Sequence, residues 1–278
     1  MEIFFQKIKD WLNGSQHKIT NVLSVPKREK RRRFIKKYID VSSAEIIEIG
    51  AFNDPVYFKN DANVAFMDWF SKEELYAHYK QIAPDRVKNI VDVDFVVKDK
   101  YFENHIPRKY DLVIANHVIE HIPDVISWLQ SIFKILKKNG LVFLSVPHKE
   151  YTFDKIRPLT TLGQLIENND HDIHAPTFKH VFDHIYLYRP IKASNVWDGT
   201  YVELLKKQRF SAKEAIHHVR SELSKSDYVN AHCHIFDYDS FLEICNDLLD
   251  AEYINFRIAG SEDVVQPENE FLIMFEKS

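Results

Sequence analysis

Short apolar stretches alternate with segments of helical periodicity from residue 45 onward. Five stretches are almost continuously apolar, as in strands buried on both faces: EIIEIG, VAFMDW, KNIVDVDFV, YDLVIAN and LVFLSVP. The segment DVISWLQSIFKILKKNG has apolar residues at helical spacing, and Gly140 stands where a helix would end. Buried strands that alternate with helices predict a parallel sheet covered on both faces.

This alternation stops near residue 151 and resumes at DYDSFLEICNDLLDA, an amphipathic helix with Asp237 or Asp239 as its N-cap. EYINFRI and EFLIMFEK follow as two last strands. We therefore predict a Rossmann-like α/β domain from residues 41–150 and 237–278, with a seven-stranded, mostly parallel sheet and helices on both faces. Residues 151–236 form an insertion after the fifth strand, which can act as a lid over the carboxyl edge of the sheet.

Residues 1–40 are predicted to form a helical, partly basic leader. FFQKIKDWL places its apolar residues on one helical face, and KREKRRRFIKK follows it. A run of charge of this kind is usually a solvated helix face. Peripheral contact with an anionic membrane surface, or with an acidic partner, is the alternative.

Composition excludes some classes of partner. The 278 residues carry a net charge of -4, with 37 basic and 41 acidic side chains, so nothing points to nucleic acid. The two cysteines, Cys233 and Cys245, form no paired motif, which fits a reducing compartment. Without an apolar run of about 20 residues we expect no membrane span. Without a signal-peptide core we expect a cytoplasmic protein. The sequence leaves open whether the protein forms a homo-oligomer.

The loop after the first strand, in IIEIGAFNDPVYF, lies where open α/β sheets bind ligands. Gly50 allows a ligand to approach the backbone closely. Phe52 and Asp54, however, occupy positions where a dinucleotide-binding loop has glycine, and a pyrophosphate would meet a ring and a negative charge. A nucleoside cofactor without phosphates avoids this conflict. The loop therefore favours S-adenosylmethionine, whose sulfonium tolerates acids, over NAD.

Two acids at later strand ends suit an adenosine. Asp68 ends the second strand roughly 20 residues after the glycine loop, where a carboxylate can accept both ribose hydroxyls. Asp94, followed by Phe95, ends the third strand and could hydrogen-bond the adenine amino group. The alternative for either acid is a helix N-cap.

These segments resemble a known family. EIGAFNDPV, MDWFSKEEL, VDVDFV and the stretch that begins YDLVIANHVIEHIPD are similar to class I S-adenosylmethionine-dependent methyltransferases, and NHVIEHIPD is close to their type 11 pattern. YTFDKIRPLTTL, APTFKHVFDH and HCHIFDYDSF resemble a bacterial subgroup often encoded among glycosyltransferases for surface polysaccharides. The resemblance runs from about residue 45 to the last residue.

The resemblance implies a cofactor site at the ends of the first four strands. Its residues are Glu48, Gly50, Ala51, Asp68, Trp69, Asp94, Phe95, Asn116 and His117. The first three would line the methionine end, Asp68 would hold the ribose with Trp69 beside the adenine, and His117 would flank the methyl group.

Two histidines are candidate catalytic residues, because an alcohol acceptor benefits from a base within hydrogen-bond reach. His117 lies next to the predicted methyl position, and His148 follows the fifth strand. The subgroup usually has an aspartate where this sequence has His148. A histidine hydrogen-bonded to backbone is the alternative for both.

The HVIEH segment could also bind a divalent metal ion. His117, Glu120 and His121 share one helical face, and His232 or His234 could complete the ligand set. Since a Glu-His pair at this point is common in methyltransferases that bind none, we expect no metal.

The acceptor is predicted to bind the insertion. Its candidate residues are polar and lie just after the fifth strand or within the insertion: Lys149, Tyr151, Asp154, Arg157, Asp183, His184, His232 and His234. A self-satisfied network that folds the insertion is the alternative. The predicted acceptor is a hydroxyl of a sugar, sugar nucleotide or surface glycan. A small-molecule nitrogen or phenol, a non-catalytic scaffold and an NAD-dependent enzyme are the other hypotheses.

Overall fold

A computed structural model describes residues 26–225 and 229–278, so the predicted FFQKIKDWL stripe lies outside the described residues. The described residues contain a seven-stranded, mostly parallel sheet with helices around it, which confirms the predicted fold class. The described residues divide into two compact units, the first ending at Lys98 and the second beginning at Asp99.

The first unit contains three parallel strands in the order β3-β2-β1. Its elements are α1 (Lys27–Ile35), β1 (Glu45–Ile49), β2 (Asn63–Asp68), α2 (Lys72–Tyr79) and β3 (Phe95–Val96). Four of the five residues of β1 and the central four of β2 are buried, as their continuous apolar runs predicted. A capping box between Ser71 and Glu74 begins α2.

The third strand is much shorter than the predicted KNIVDVDFV segment. Only Phe95 and Val96 pair with β2. Just before them, the Phe66 N–H donates to the Asp94 carboxylate over 2.8 Å, and the Asp94 N–H donates to the Phe66 carbonyl over 2.8 Å. A side chain therefore satisfies the β2 backbone where a longer strand would have done so.

The basic run forms α1, and it is only partly solvated. Phe34 and Ile35 are buried, and so is Arg31. Arg32 donates from Nε to the Val56 carbonyl over 2.6 Å and forms an ion pair with Asp61. Within the first unit, α1 is thus fixed to the segment between β1 and β2.

The second unit contains four strands in the order β4-β5-β7-β6, of which β4 and β5 are parallel and β7 is antiparallel to both its neighbours. The strands are β4 (Tyr110–Asn116), β5 (Leu136–Pro147), β6 (Phe256–Glu262) and β7 (Glu270–Lys277). The helix α3 (Val125–Ile135) precedes β5, and α9 (Tyr238–Asp250) follows the insertion. Asp237 is the N-cap of α9, one of the two predicted candidates.

The expected helix end at Gly140 is wrong, because α3 ends at Ile135 and β5 begins at the next residue. The register between β4 and β5 jumps from Leu136 to Leu141, so the residues between them bulge out, with Asn139 left-handed at φ 58°. A Cβ at Gly140 would lie 3.0 Å from the Lys137 carbonyl oxygen. Gly140 therefore relieves a close contact with the preceding backbone and is not a helix cap.

The insertion is helical over its described part. Its helices are α4 (Leu162–Asp170), α5 (Phe178–Tyr186), α6 (Ala193–Trp197), α7 (Val202–Leu205) and α8 (Ala212–Leu223). Val181, Val219 and Ala231 form a small buried core between α5 and α8. In the described part of the chain, no helix is long and apolar enough to cross a membrane.

Candidate active site

The loop after β1 has two left-handed residues, although only the first of its expected glycines is present. Gly50 is left-handed at φ 69°, and its N–H donates to the Met67 carbonyl over 2.9 Å. Phe52 is also left-handed, at φ 47°, a conformation that glycine adopts far more readily. Its ring packs against Tyr79 at 4.8 Å between centroids, with the Arg86 guanidinium over its face. Aromatic packing therefore holds a turn that glycine would otherwise allow.

The carboxylates around this loop fix it in place. Glu48 is fully buried, and its Oε2 accepts the Val56 N–H over 2.8 Å. Asp54 pairs with Arg28 of α1, so its negative charge is partly balanced. Its N–H donates to the carbonyl of Ala51 over 3.0 Å. The repulsion that we expected between Asp54 and a phosphate is therefore weaker than the sequence suggests, while the ring of Phe52 remains.

Asp68 is a half-buried carboxylate at the end of β2. Its Oδ1 accepts the Phe70 N–H over 3.0 Å, and no cation pairs with it among the described residues. Burial raises the pKa of Asp68 to about 6, against the smaller opposing effect of hydrogen bonds from Phe70 and Trp69. The carboxylate thus keeps unused acceptor capacity in a partly desolvated position beside Trp69.

Asp94 is already engaged on both of its oxygens. Oδ1 lies 2.6 Å from the Lys59 ammonium, and Oδ2 accepts the Phe66 N–H. Phe95 is the first residue of β3 and is half-buried. These contacts give Asp94 a structural role in the pairing of β2 with β3.

In the second unit, His117 follows β4 in a left-handed conformation at φ 52°. Its N–H donates to the Ser145 carbonyl over 2.9 Å, and its Nε2 lies 2.7 Å from Oε2 of Glu270. Asn116 accepts from the Ser145 hydroxyl over 3.0 Å. A hydrogen on Nε2 that is donated to Glu270 leaves Nδ1 of His117 as an acceptor. The imidazole is therefore oriented by a buried carboxylate, while 31% of its side chain is exposed.

Sequence reasoning missed Glu270. It is fully buried, begins β7 and pairs in register with Pro147, at the end of β5. The available signal was an acid at the start of an otherwise apolar strand, EFLIMF.

Glu120 is buried without hydrogen bonds. It lies in the short 3-10 turn Ile119–His121, its exposure is 1%, and neither carboxylate oxygen has a hydrogen-bond partner among the described residues. Its Oε1 lies 3.7 Å from Nδ1 of His117 and 3.8 Å from Nε2 of His121. Burial raises the pKa of Glu120 and lowers the pKa of His121.

His148 acts as the N-cap of a short turn. Its Nδ1 accepts the Glu150 N–H over 3.2 Å, and its own N–H donates to the Asn269 carbonyl over 2.8 Å. Burial lowers the pKa of His148. Its ring lies 5.1 Å from the ring of Tyr151 and 6.2 Å from that of Phe271. The imidazole is thus neutral at neutral pH and lies beside the beginning of the insertion.

Two predicted acceptor-binding residues, Lys149 and Tyr151, lie in the short turn that leads into the insertion. Tyr151 stacks on Trp197 with 4.3 Å between centroids and 19° between planes. Lys149 donates its N–H to the Phe236 carbonyl, and its ammonium lies 3.7 Å from Glu150. The rings of Tyr151 and Trp197 are both partly exposed.

Four other predicted acceptor-binding residues form a buried network. Asp154 accepts from Arg157 over 2.9 Å and from Nδ1 of His232 over 2.6 Å. Arg157 also donates to the His232 carbonyl, and the His232 N–H donates to Nδ1 of His184 over 3.2 Å. Burial would raise the pKa of Asp154, but His232 and Arg157 outweigh it and hold the pKa well below its usual value. Burial lowers the pKa of His184 to about 3.

The remaining two predicted acceptor-binding residues lie outside this network. Asp183 pairs with Lys179 at 2.6 Å. Nε2 of His234 lies 3.1 Å from the Pro123 carbonyl, and burial lowers the pKa of His234 to about 3.

The segment around His232 is fixed to the Glu120 turn through the backbone. The N–H groups of Cys233 and His234 both donate to the carbonyl of Glu120, over 2.6 and 3.1 Å. Ligand atoms of Glu120, His121 and His232 consequently lie within 4.8 Å of one another. In the described part of the chain, Asp154, His184 and His232 make a second group of this kind.

Comparison with models of protein families gives a match over most of the chain. The sequence model described as "Methyltransferase domain" matches residues 27–248. A comparison with curated proteins gives no match.

Solved structures resemble the chain only distantly. A Rhodobacter sphaeroides protein, provisionally described as a Zn-dependent alcohol dehydrogenase, is 16% identical over 91% of both chains, with a TM-score of 0.48. The N-methyltransferase NodS from Bradyrhizobium japonicum is 10% identical over 90% of this chain and 95% of its own, with a TM-score of 0.42. The magnesium protoporphyrin IX methyltransferase ChlM from Synechocystis PCC 6803, with bound SAH, is 11% identical over 100% of this chain and 94% of its own, with a TM-score of 0.40. Likenesses this distant bear on neither activity nor substrate.

Proposed function

Since the chain belongs to the family of methyltransferase domains, we propose that it methylates a hydroxyl of a sugar, a sugar nucleotide or a growing surface glycan. Membership of this family makes the chain an S-adenosylmethionine-dependent methyltransferase. The acceptor, and the role of each residue, are the proposal.

The first unit supplies groups that fit the methyl donor. Asp68 has free acceptor capacity and no competing cation among the described residues, as a ribose-binding carboxylate requires. Gly50 allows close approach to the backbone. Glu48 holds the loop through the Val56 N–H. Asp94 contributes less directly, by fixing the end of β2 beside Asp68.

The main support for a hydroxyl acceptor is the pair formed by His117 and Glu270. An alcohol keeps its proton at neutral pH and gains from a positioned base, whereas an unprotonated amine needs none. Glu270 orients the imidazole at 2.7 Å and stabilises the positive charge that it gains on accepting a proton. His117 is therefore the proposed base. His148, whose Nδ1 is occupied by the Glu150 N–H, is proposed to line the acceptor site.

The stacked rings of Tyr151 and Trp197 support a sugar acceptor. Partly exposed aromatic faces suit the apolar face of a sugar ring, and Lys149 lies two residues before Tyr151. Tyr151 contacts His148, which contacts Phe271, the residue after Glu270. The stacked pair of Tyr151 and Trp197 thus lies near the end of β5 and β7 where Glu270, the partner of the proposed base, pairs with Pro147.

The buried network of Asp154, Arg157 and His232 is proposed to support the insertion rather than to touch the acceptor. Arg157 is 3% exposed and uses its guanidinium on Asp154 and on the His232 carbonyl. Phosphate recognition would therefore fall to Lys149. Residues 151–236 remain the proposed acceptor-binding insertion.

Methyl transfer can be tested with S-adenosylmethionine that carries a deuterated methyl group. The chain is incubated with a panel of nucleotide sugars, free glycans, amines and phenols, and products are located by mass spectrometry and NMR. We expect the label on a sugar oxygen. His117→Gln should lower kcat while leaving the affinity for S-adenosylhomocysteine unchanged. Label found only on a nitrogen or a phenolic oxygen would contradict the glycan acceptor.

A further inference from the structure

Glu120 is the least compensated acid in its surroundings. Both oxygens are buried and lack hydrogen bonds to the described residues, although buried carboxylates normally accept several. Its neighbours on two sides are imidazole rings, of His117 at 3.7 Å and of His121 at 3.8 Å. These separations are too long for hydrogen bonds. The fold therefore holds a carboxylate among nitrogens without letting them satisfy it.

His121 is incompletely partnered as well. Its Nδ1 is buried and has no hydrogen bond among the described residues. Its ring lies edge-on to the ring of His232, with 4.6 Å between centroids. Two imidazoles and one carboxylate thus face one another, and the turn that carries two of them is fixed to the segment that carries the third.

His232 is oriented as metal-ligating histidines are. Its Nδ1 lies 2.6 Å from Asp154, which Arg157 holds in place, so a neutral imidazole that donates its Nδ1 hydrogen there has its lone pair on Nε2. A carboxylate that orients a histidine by its second nitrogen is a recurring feature of metal sites.

Contrary to the expectation from the sequence, we propose that Glu120, His121 and His232 bind a divalent transition-metal ion, with Zn²⁺ as the ion that the ligand set fits best. Two imidazoles and one carboxylate are typical of zinc sites that keep a fourth position open, whereas Mg²⁺ and Ca²⁺ take oxygen ligands. The ligand atoms lie within 4.8 Å of one another. Tetrahedral coordination at about 2.0–2.2 Å requires separations of about 3.3 Å, so the side chains must move closer together when the ion binds.

The second group of potential ligands is a weaker candidate. Asp154 already accepts from Arg157 and His232, and His184 already accepts the His232 N–H. Those groups are satisfied without an ion. Asp154 therefore orients a ligand of the proposed site.

The fourth position of the ion is assigned to water or to the acceptor's hydroxyl, and this assignment alone rests on the proposed function. A hydroxyl bound to Zn²⁺ loses its proton more easily. His117, whose Nδ1 lies 3.7 Å from Oε1 of Glu120, is the base to which we assign that proton.

Metal binding can be measured without cofactor or acceptor, so its failure is separate from a failure of methyl transfer. The full, tag-free chain is treated with a chelator and titrated with Zn²⁺ by calorimetry and with Co²⁺ by visible absorption. We expect one ion per chain and a rise in the thermal midpoint. Glu120→Gln and His232→Gln should weaken binding at least about tenfold and remove most of that rise. His234→Gln is the matched control, since His234 is also buried but bonds the Pro123 carbonyl, and it should bind as the wild type does.

Two results would overturn the proposal. One is a wild-type chain that binds no Zn²⁺ when the ion is in large excess over protein. The other is a Glu120→Gln variant that binds Zn²⁺ unchanged. If the variants do not fold, anomalous diffraction at the zinc edge from wild-type crystals decides, because the ion must lie among Glu120, His121 and His232. A peak elsewhere would contradict the site.

Discussion

Asp68 combines a half-buried position with a charge that no described residue of its unit neutralises. Burial raises its pKa to about 6 from the ordinary value of 3.8. The ionised side chain therefore destabilises the folded chain. This penalty is fully present above about pH 6, shrinks as the pH falls, and is absent below the ordinary pKa of the carboxyl group. A carboxyl group with such a raised pKa at a strand end is a candidate ligand-binding residue.

Replacing Asp68 with Asn tests this trade between stability and binding. Asn keeps an oxygen for the Phe70 N–H but carries no charge. We expect the free energy of unfolding at pH 8 to rise by about 1–3 kcal/mol, because two pKa units correspond to about 2.7 kcal/mol. The gain should vanish near pH 4. Urea unfolding at both pH values measures it, and an equal effect at both would contradict the assigned cause.

Glu270→Gln tests the orientation of His117. The amide keeps the shape of Glu270 but cannot stabilise the imidazolium, so we expect kcat to fall about 10–100-fold with unchanged affinity for S-adenosylhomocysteine. Glu276→Gln is the matched control, because it alters an acid at the other end of the same strand, where Glu276 pairs with Arg257. Equal losses of kcat and affinity in Glu270→Gln would mean that Glu270 only supports the pocket.

The sequence predicted the location of a single residue where its position along a strand determines that location. Asp68 and His117 follow apolar runs, and their location at the ends of β2 and β4 needed no tertiary information. Glu270 did not follow from local pattern. Only the antiparallel pairing of β7 with β5 brings it next to Pro147, and hence to His117.

At the scale of elements, the helix α9 begins as its sequence indicates. Asp237 accepts the Ser240 N–H over 2.9 Å, and Ser240 Oγ accepts the Asp237 N–H over 3.1 Å. Asp239, the other candidate, lies inside the first turn.

Substitution at these two positions separates a cap from a favourable charge. Asp237→Ala should lower the free energy of unfolding by about 1 kcal/mol, and Asp237→Asn should be nearly neutral. Asp239→Ala should cost no more than about 0.5 kcal/mol, the effect of one acid near a helix N-terminus. Urea denaturation distinguishes them, and equal costs for the two Ala variants would contradict the assigned cap.

Element types followed from apolar periodicity, but two boundaries did not. β3 is cut short because the Asp94 side chain bonds the Phe66 N–H. α3 ends before Gly140 because β5 begins with a bulge at residues 137–140. Both boundaries depend on which hydrogen-bond partner each backbone group has, and the pattern of apolar residues does not determine those partners.

At the scale of the whole molecule, the family match extends over most of the chain, from residue 27 to residue 248. The cluster of acids and histidines is assembled from three separate segments, at Glu120, Asp154 and His232. The sequence did not distinguish His232 from His234. The two belong to an irregular segment, and its backbone hydrogen bonds to Glu120 decide which ring meets the cluster.

The central claim is that this chain binds an S-adenosylmethionine-type nucleoside through Asp68, and calorimetry with S-adenosylhomocysteine tests it most directly. The wild-type chain should bind one molecule, and Asp68→Asn should weaken that binding at least about tenfold, because a charged contact to the ribose is lost. Absence of binding to the folded wild-type chain at millimolar ligand, or equal affinity in Asp68→Asn, would contradict the account.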